Sequence, residues 1–252
     1  MKTKTNLLKK SWLLLFIFAV ILTSCGNEAP SNEASNGVIV EEETPLTYIL
    51  PYPNTDGDIS VEYALANRRS QRNFQDKPLS ADQLSQILWA AYGITSPRPD
   101  NPALRGGLRT APSGGALYPL EIYAVIGNVE GLDPGVYKYI SEDHKIIMTA
   151  SGDVRDELAD AAFGQRMVSE APVSFFYSAV FSRTTERYGE RGRHFVYIEV
   201  GHSAQNIYLQ AETLGLGTCA IGALTERDAR RILNLPAEED PLYLMPTGYF
   251  AD

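Results

Sequence analysis

The sequence predicts one folded domain of the α+β or α/β class, about 200 residues long, and three observations predict it. Hydrophobic residues become dense at Pro45 and stay so to the end of the chain. Apolar runs of helical and of strand character alternate through that stretch, and neither an internal repeat nor a second linker interrupts it.

Ahead of the domain, Lys2, Lys4, Lys9 and Lys10 precede an uncharged apolar run from Trp12 that ends in Leu22-Thr23-Ser24-Cys25. A membrane-spanning helix needs about 20 apolar residues, and this run has about half of that, so it reads as the core of an export signal. Leu-Thr-Ser-Cys resembles the lipobox of bacterial lipoproteins. That resemblance implies a lipoprotein signal peptide over 1–24, lipidation of Cys25, and an exported protein anchored through lipid to a bacterial membrane, periplasmic or at the cell surface. Residues 25–44 are rich in Asn, Ser, Glu and Pro with almost nothing to bury, which predicts a disordered tether and leaves 45–252 as the domain.

The whole chain carries a net charge of −9, and removal of the signal takes away four lysines and no acid, leaving −13. Such an acidic balance argues against nucleic acid as a partner. Only two cysteines occur, and lipidation of Cys25 leaves Cys219 alone, so neither a disulfide nor a cysteine-based metal site is expected.

Within the domain, Val61, Ala64 and Leu65 suggest a short helix. Ser80-Ala81-Asp82-Gln83 is a capping-box pattern followed by Leu84, Ile87, Leu88 and Ala91, which predicts a helix over 81–92 stopped by Gly93. The proline- and glycine-rich segment 97–107 predicts a long loop, in which Arg98, Arg105 and Arg109 nearby either shape an entrance or are simply solvated. Residues 121–126 form an apolar strand. Residues 135–140 and 145–148 flank Ser141-Glu142-Asp143-His144 as a hairpin, and 153–163 is an amphipathic helix begun at Asp153. The aromatic, β-branched run 172–181 suits a central strand covered on both faces. Residues 195–214 read as a long helix ending at Gly215, 217–222 as a short strand, 225–233 as a helix capped by Thr225, and 242–249 as the last strand.

Two stretches carry chemistry. Arg68-Arg69-Ser70-Gln71-Arg72 sets three guanidinium groups and a hydroxyl within five residues, a composition suited to a phosphate monoester. Each charge-assisted bond to such a group contributes roughly 1.5 to 3 kcal/mol. The competing reading is that these cations offset the dipole of the helix before them. Pro112-Ser113-Gly114-Gly115 precedes the strand at 121–126, and adjacent glycines admit a flat ligand or another part of the chain at close range. A plain Gly-Gly turn is the alternative. His202 and His144 read as packed or solvated residues, and Cys219 as a packing thiol.

In this order, the Arg-Arg-Ser-x-Arg-x-Phe stretch, the capped helix, Pro-Ser-Gly-Gly-Ala-Leu-Tyr-Pro, the long helix and Leu-Gly-Leu-Gly-Thr-Cys-x-x-Gly resemble the FMN-dependent nitroreductase superfamily over 47–249. APSGGALYPLE (111–121) and PGVYKYISEDHK (134–145) are similar to its SagB-type dehydrogenase branch. The resemblance implies an α+β nitroreductase fold, with a central mixed but mainly antiparallel sheet flanked by helices and a long central helix at a homodimer interface. It implies FMN as cofactor and an oxidoreductase acting by hydride transfer at flavin N5, on a small-molecule or peptide substrate. Arg68, Arg69, Ser70 and Arg72 would hold the phosphate and ribityl chain, with Arg72 also near flavin O2. Pro112, Ser113, Gly114 and Gly115 would lie along the ring, and the backbone of Gly222 and Ala223 would meet N5 and O4. No side-chain nucleophile and no metal are implied. The sequence departs from the family at Ala116, where many members carry a flavin-bonding asparagine, and at the C-terminus, which lacks the usual phosphate-reaching cations. A lipid-anchored flavin-binding electron carrier without turnover is the alternative class.

Overall fold

The computed structural model describes residues 45–251, so the predicted signal peptide, Cys25 and the tether lie outside the described residues. In chain order the first half contains β1 (Thr47–Ile49), α1 (Val61–Asn67), α2 (Ala81–Tyr92), β2 (Ile94–Pro97), β3 (Gly107–Arg109), β4 (Leu120–Ile126), β5 (Gly135–Ile140) and β6 (Lys145–Ser151). The second half contains α3 (Arg155–Ala161), α4 (Arg166–Glu170), β7 (Val173–Ala179), α5 (Ser182–Tyr188), α6 (Arg191–Thr213), β8 (Gly217–Thr218), α7 (Glu226–Ile232) and β9 (Asp240–Gly248). Seven strands form one sheet in the order β1-β6-β5-β4-β7-β9-β8. The pairings within it are antiparallel, and parallel pairing enters only as isolated bridges such as Ser70 with Thr218. The α+β class and the mainly antiparallel sheet are therefore as the sequence implies.

Both faces of the sheet are covered, and side-chain alternation divides the core. Ile122, Ala124, Phe175, Tyr177 and Met245 pack with α2 and α6 on one face. Tyr123, Val125, Phe176 and Leu244 pack with α3 and α7 on the other. Every residue of β7 is buried, which explains why its sequence is apolar throughout instead of alternating. Helix α2 starts at the predicted capping box: Ser80 Oγ accepts from Gln83 N at 3.2 Å and the Gln83 side chain accepts from Ser80 N at 3.0 Å. Helix α6 buries Val196, Glu199, Val200, Ser203, Ala204, Ile207 and Ala211 along one side, the three-and-four spacing of an amphipathic helix.

The structure corrects several local expectations. The segment read as one loop, 97–107, is the end of a small hairpin in which β2 and β3 pair antiparallel, with a single helical turn at Pro102–Leu104. Helix α6 begins at Arg191, ahead of the expected start at 195, and α5 precedes it unannounced. Their sequence is too polar to show a period, and Gly189 at φ 58 separates them. The helix expected from Asp153 begins at Arg155, because the Asp153 carboxylate accepts from the Arg155 amide and guanidinium and so sits outside the first turn. The strand expected over 217–222 ends at Thr218. There the chain leaves β9: Ala220 N donates to Tyr208 Oη at 2.9 Å, and pairing resumes only as an Ile221–Leu244 bridge.

Phe175 lies at the centre of the sheet and is fully buried. Phe175→Ala is expected to lower the unfolding free energy by about 3 to 5 kcal/mol, read as a drop in the urea midpoint at unchanged slope. A loss below about 1 kcal/mol would contradict its central position.

Candidate functional site

The arginine-rich stretch is positioned by its backbone. Ser60 caps α1, accepting from Tyr63 N at 3.1 Å, and the helix ends at Arg68, where the chain turns extended. From there it runs beside β8: Ser70 bridges Thr218, and Gln71 N donates to Thr218 O at 2.9 Å. Further along, Gln75 N donates to Tyr249 O at 2.8 Å. A polar segment with no apolar periodicity is thus fixed along the edge of the sheet.

Tyr208 of α6 joins this segment to the chain after β8. The Arg68 guanidinium lies 5.1 Å over the Tyr208 ring, Ser70 Oγ is 3.1 Å from its hydroxyl, and that hydroxyl accepts from Ala220 N. Gly222 and Ala223 follow, both exposed, and a Cβ at Gly222 would meet only the Tyr243 ring at 3.7 Å, so internal packing does not demand glycine there. The structure therefore sets Arg68, Ser70 and Arg72 beside the segment that leads through Ala220 to Gly222 and Ala223. Among the described residues, no acidic group lies within ion-pair distance of Arg68, Arg69 or Arg72. Arg69 differs from its neighbours: its guanidinium folds back onto the carbonyls of Ala66 and Arg68 at the end of α1 at 3.1 and 2.8 Å. For that residue the helix-end reading is the one realised. Arg72 lies near enough to the buried Cys219 to oppose the upward push that burial gives the thiol.

Pro112, Ser113, Gly114 and Gly115 lie elsewhere, with Gly114 against Phe195 of α6. Gly115 adopts φ 69, where a side chain is strained, and a Cβ there would lie 2.5 Å from Tyr188 Oη. A Cβ at Gly114 would meet Phe195 at 3.3 Å. Ser113 Oγ accepts from Tyr118 N at 2.9 Å, so its side chain braces the loop. Glu199 and Tyr208 are nine residues apart in α6, about 13 Å along the axis and half a revolution around it. Within one chain, the arginine-lined surface and the glycine loop are separate.

Glu199 has no counterpart among the residues singled out from the sequence. It is 2% exposed and accepts from the Tyr92 hydroxyl, with Ser113 and Gly114 near enough to favour its charged form. Burial pushes its carboxyl up to about 7, against the opposing pull of these donors and of Arg109. A carboxylate at the buried spacing of Val196, Val200 and Ser203 is the signal that marks it. Tyr208 gives no such signal in sequence, because an aromatic residue on a long helix reads as packing.

The remaining candidates have structural roles. His144 in the β5–β6 turn contacts Ser85 Oγ at 2.7 Å, Tyr139 Oη at 2.8 Å and Pro51 O at 2.9 Å, and burial lowers its pKa. His202 is exposed on α6 and Cys219 is buried. Arg105 pairs with Glu121 at 3.1 Å, and the Arg109 side chain, 3% exposed, lies 4.6 Å and 4.9 Å from the rings of Tyr92 and Tyr118, so neither is a solvated entrance group. A cleft of about 720 Å³ lies between the arm from Tyr52 to Ile59, α2 and the second half of α6. It touches neither the arginines nor the glycine loop. Among the described residues no cluster of potential metal ligands occurs, and no helix is long and apolar enough to cross a membrane.

This fold, with a cation-lined strand beside the end of its long helix, defines a class. The sequence profile of the nitroreductase family matches residues 65–249, and the chain belongs to that family, whose cofactor is FMN. The chain is 46% identical to a protein assigned as a nitroreductase from Methanocaldococcus jannaschii, over 76% of this chain and 91% of that one. It is 27% identical to the microcin B17-processing protein McbC of Escherichia coli over 65% of this chain, and the match spans 60% of McbC. The solved structure of a protein assigned as a nitroreductase from Ralstonia eutropha superposes with a TM-score of 0.68 at 28% identity, covering 82% of this chain and 90% of that one.

The shifted carboxyl gives a pH prediction. Folded Glu199 keeps its proton to about pH 7, whereas the unfolded residue releases it near 4.5. The folded state is favoured below 4.5, and that contribution is lost as the pH rises through 7, at up to about 1.4 kcal/mol per unit. Denaturant unfolding at pH 5 and pH 8 should show wild-type stability declining relative to Glu199→Gln. Parallel pH profiles for the two proteins would contradict the shift.

Proposed function

We propose that the protein is an FMN-dependent oxidoreductase related to the SagB-type dehydrogenases, acting on a small molecule or a peptide and working as a homodimer. The observation that carries this reading is the set of Arg68, Ser70 and Arg72 fixed beside the exposed backbone of Gly222 and Ala223, cations with no acidic partner among the described residues. That donor set fits a flavin mononucleotide: guanidinium groups for a phosphate, a hydroxyl for the ribityl chain, and accessible backbone for the ring edge. Bound there, FMN would supply reversible hydride transfer. Arg68 and Arg72 hold the phosphate end and offset negative charge, while Tyr208 fixes the strand that carries them.

The separation of the glycine loop from this surface supports the homodimer. A second copy, with its long helix against α6, would bring one protomer's 112–115 loop to its partner's arginines. Exposed Val61, Tyr63 and Leu65 on α1 and Ile198 on α6 offer apolar area for such a contact. The similarity to McbC, which bears the name of a microcin B17-processing protein, supports the dehydrogenase branch. We also propose, from the signal-like segment and the lipobox-like Leu22–Cys25, that the domain is exported and held to a bacterial membrane through Cys25.

Purified protein is expected to bind FMN in preference to FAD, since the chain has no Gly-x-Gly-x-x-Gly pyrophosphate motif. Replacing Arg68 and Arg72 together by alanine should weaken FMN binding by about 2 to 4 kcal/mol in titration. A colourless protein that FMN cannot reconstitute would sink the flavin assignment. An unchanged dissociation constant in the double variant would return the arginines to helix-end solvation.

Export has a further consequence for electron supply. A protein beyond the inner membrane meets essentially no free NAD(P)H, so its flavin must be reduced by the substrate or by a membrane donor. Anaerobic stopped-flow mixing with NADH or NADPH is expected to reduce the flavin poorly. Rapid bleaching of the oxidised flavin band by micromolar NADPH would favour an ordinary cytosolic type of nitroreductase chemistry instead.

A further inference from the structure

We propose that the cavity beneath the β2–β3 hairpin binds a small tetrahedral oxyanion of the phosphate or sulfate type, held by Arg105, Arg109, Lys138 and Arg183. The cavity is distinct from the surface assigned to FMN, and the inference does not rest on that assignment.

The cavity measures about 210 Å³ and is walled by several elements: Arg105 and Arg109 come from the hairpin, Glu121 from β4, Lys138 from β5 and Arg183 from α5. A water takes up about 30 Å³ in the liquid, so an oxyanion fits with solvent beside it. Arg105, Lys138 and Arg183 are each partly exposed and leave a way in, whereas the Arg109 side chain is buried.

Charge in this cavity does not balance. Four cations line it, against the carboxylates of Glu121 and Glu142. Glu121 is shared by Arg183 at 2.6 Å, Arg105 at 3.1 Å and Lys138 at 3.2 Å. Burial pushes its pKa up, but Lys138, Arg183 and Arg105 pull it further down, so it is already ionised and has no more charge to give. Glu142 reaches Arg109 only at 3.4 Å. Even with Glu239 counted, which takes Lys138 at 2.6 Å without lining the cavity, one positive charge is left over.

Donors are left over too. Arg109 spends Nη1 on Tyr92 O at 3.2 Å and on Ser141 Oγ, and Nη2 on Arg105 O at 3.0 Å and on Glu142. Its Nε–H is buried and meets no acceptor among the described residues, and the same is true of Arg105 Nε. Both residues line the cavity. Buried donors without a partner are rare in folded chains and call for an ion or a water. A water would meet the donors and leave the excess charge, whereas an oxyanion meets both demands. Donors on two separate arginines also suit an acceptor with oxygens on several sides, as a tetrahedral anion has. The chain as a whole carries −9 and repels free anions, so saturable binding would have to come from a built set of donors such as this one.

The test follows the arginine Nε–Hε resonances of the purified, nitrogen-15-labelled protein as inorganic phosphate is added at constant ionic strength. It is run in the Arg68→Ala/Arg72→Ala background, so that phosphate at the arginine strand does not intrude. The Arg109 and Arg105 signals should shift saturably, and sulfate should compete. Arg105→Gln should weaken phosphate binding by about tenfold or more, the scale of losing one charge-assisted bond. Arg98→Gln makes the same charge change on the same hairpin, at an exposed residue outside the cavity, and should stay within about threefold of its parent. Arginine signals that do not move would mean that water alone occupies the cavity, and the proposal would be overturned. It is overturned equally if chloride at the same ionic strength reproduces the shifts, or if Arg98→Gln weakens phosphate as much as Arg105→Gln does. The titration before substitution at Arg105 decides the matter even where Arg105→Gln fails to fold.

Discussion

The arrangement depends on one joint inside the core. Ser203, on α6, donates through Oγ to Ala91 O of α2 at 2.7 Å, and lies 2.9 Å from the Tyr177 hydroxyl of β7. All three residues are buried, so the bonds are shielded from water, and leaving any one of their polar groups unpartnered would cost about 1 to 3 kcal/mol. The joint fixes the register of the long helix against both the sheet and α2. Four residues before it stands Glu199, under the glycine loop; five after it stands Tyr208, beside the arginine strand. A slide of α6 by one residue would move both ends about 1.5 Å and turn them by about 100°, so a single hydroxyl contact in the core governs the geometry of two surfaces.

The elements legible in the sequence were those whose burial follows a simple period. The capping box of α2, the uniformly apolar β7 and the β5–β6 hairpin each carried a signal that local physics produces on its own. What escaped was decided by tertiary contact. Helix α5 and the first turn of α6 are polar at nearly every position, and they are helical because they pack against each other, with Gly192 against Thr184 O. The strand after Gly217 ended early because Ala220 gave its amide to a tyrosine 12 residues back in sequence and not to the neighbouring strand. No window of sequence contains that choice.

The site was legible by type and only partly by role. The resemblance assigned Arg68, Ser70, Arg72, Gly222 and Ala223 to one ligand, and the fold sets the arginine strand against β8, whose chain continues through Ala220 to Gly222 and Ala223. Arg69 belongs to the same motif, yet its guanidinium is used on the carbonyls at the end of α1, because the chain turns sharply at Arg68 and carries the next side chain back over the helix. Composition sees three equivalent cations; backbone direction makes one of them different. The glycines differ from expectation in a similar way. Gly114 and Gly115 admit Phe195 and Tyr188 at close range from beneath, so a close approach does occur, but it is the chain's own side chains that make it.

Burying Glu199 runs against stability. A carboxyl at that depth loses its hydration, and the upward push on its pKa measures the loss that its donors do not recover. A leucine or methionine of similar volume would fill the same space between Tyr92 and the loop without that cost. What an apolar residue could not do is accept from the Tyr92 hydroxyl, which is itself buried. Phe195 of the same helix packs under Gly114 and Tyr208 stands beside Ser70, so α6 alone sets the spacing between the glycine loop and the arginine strand.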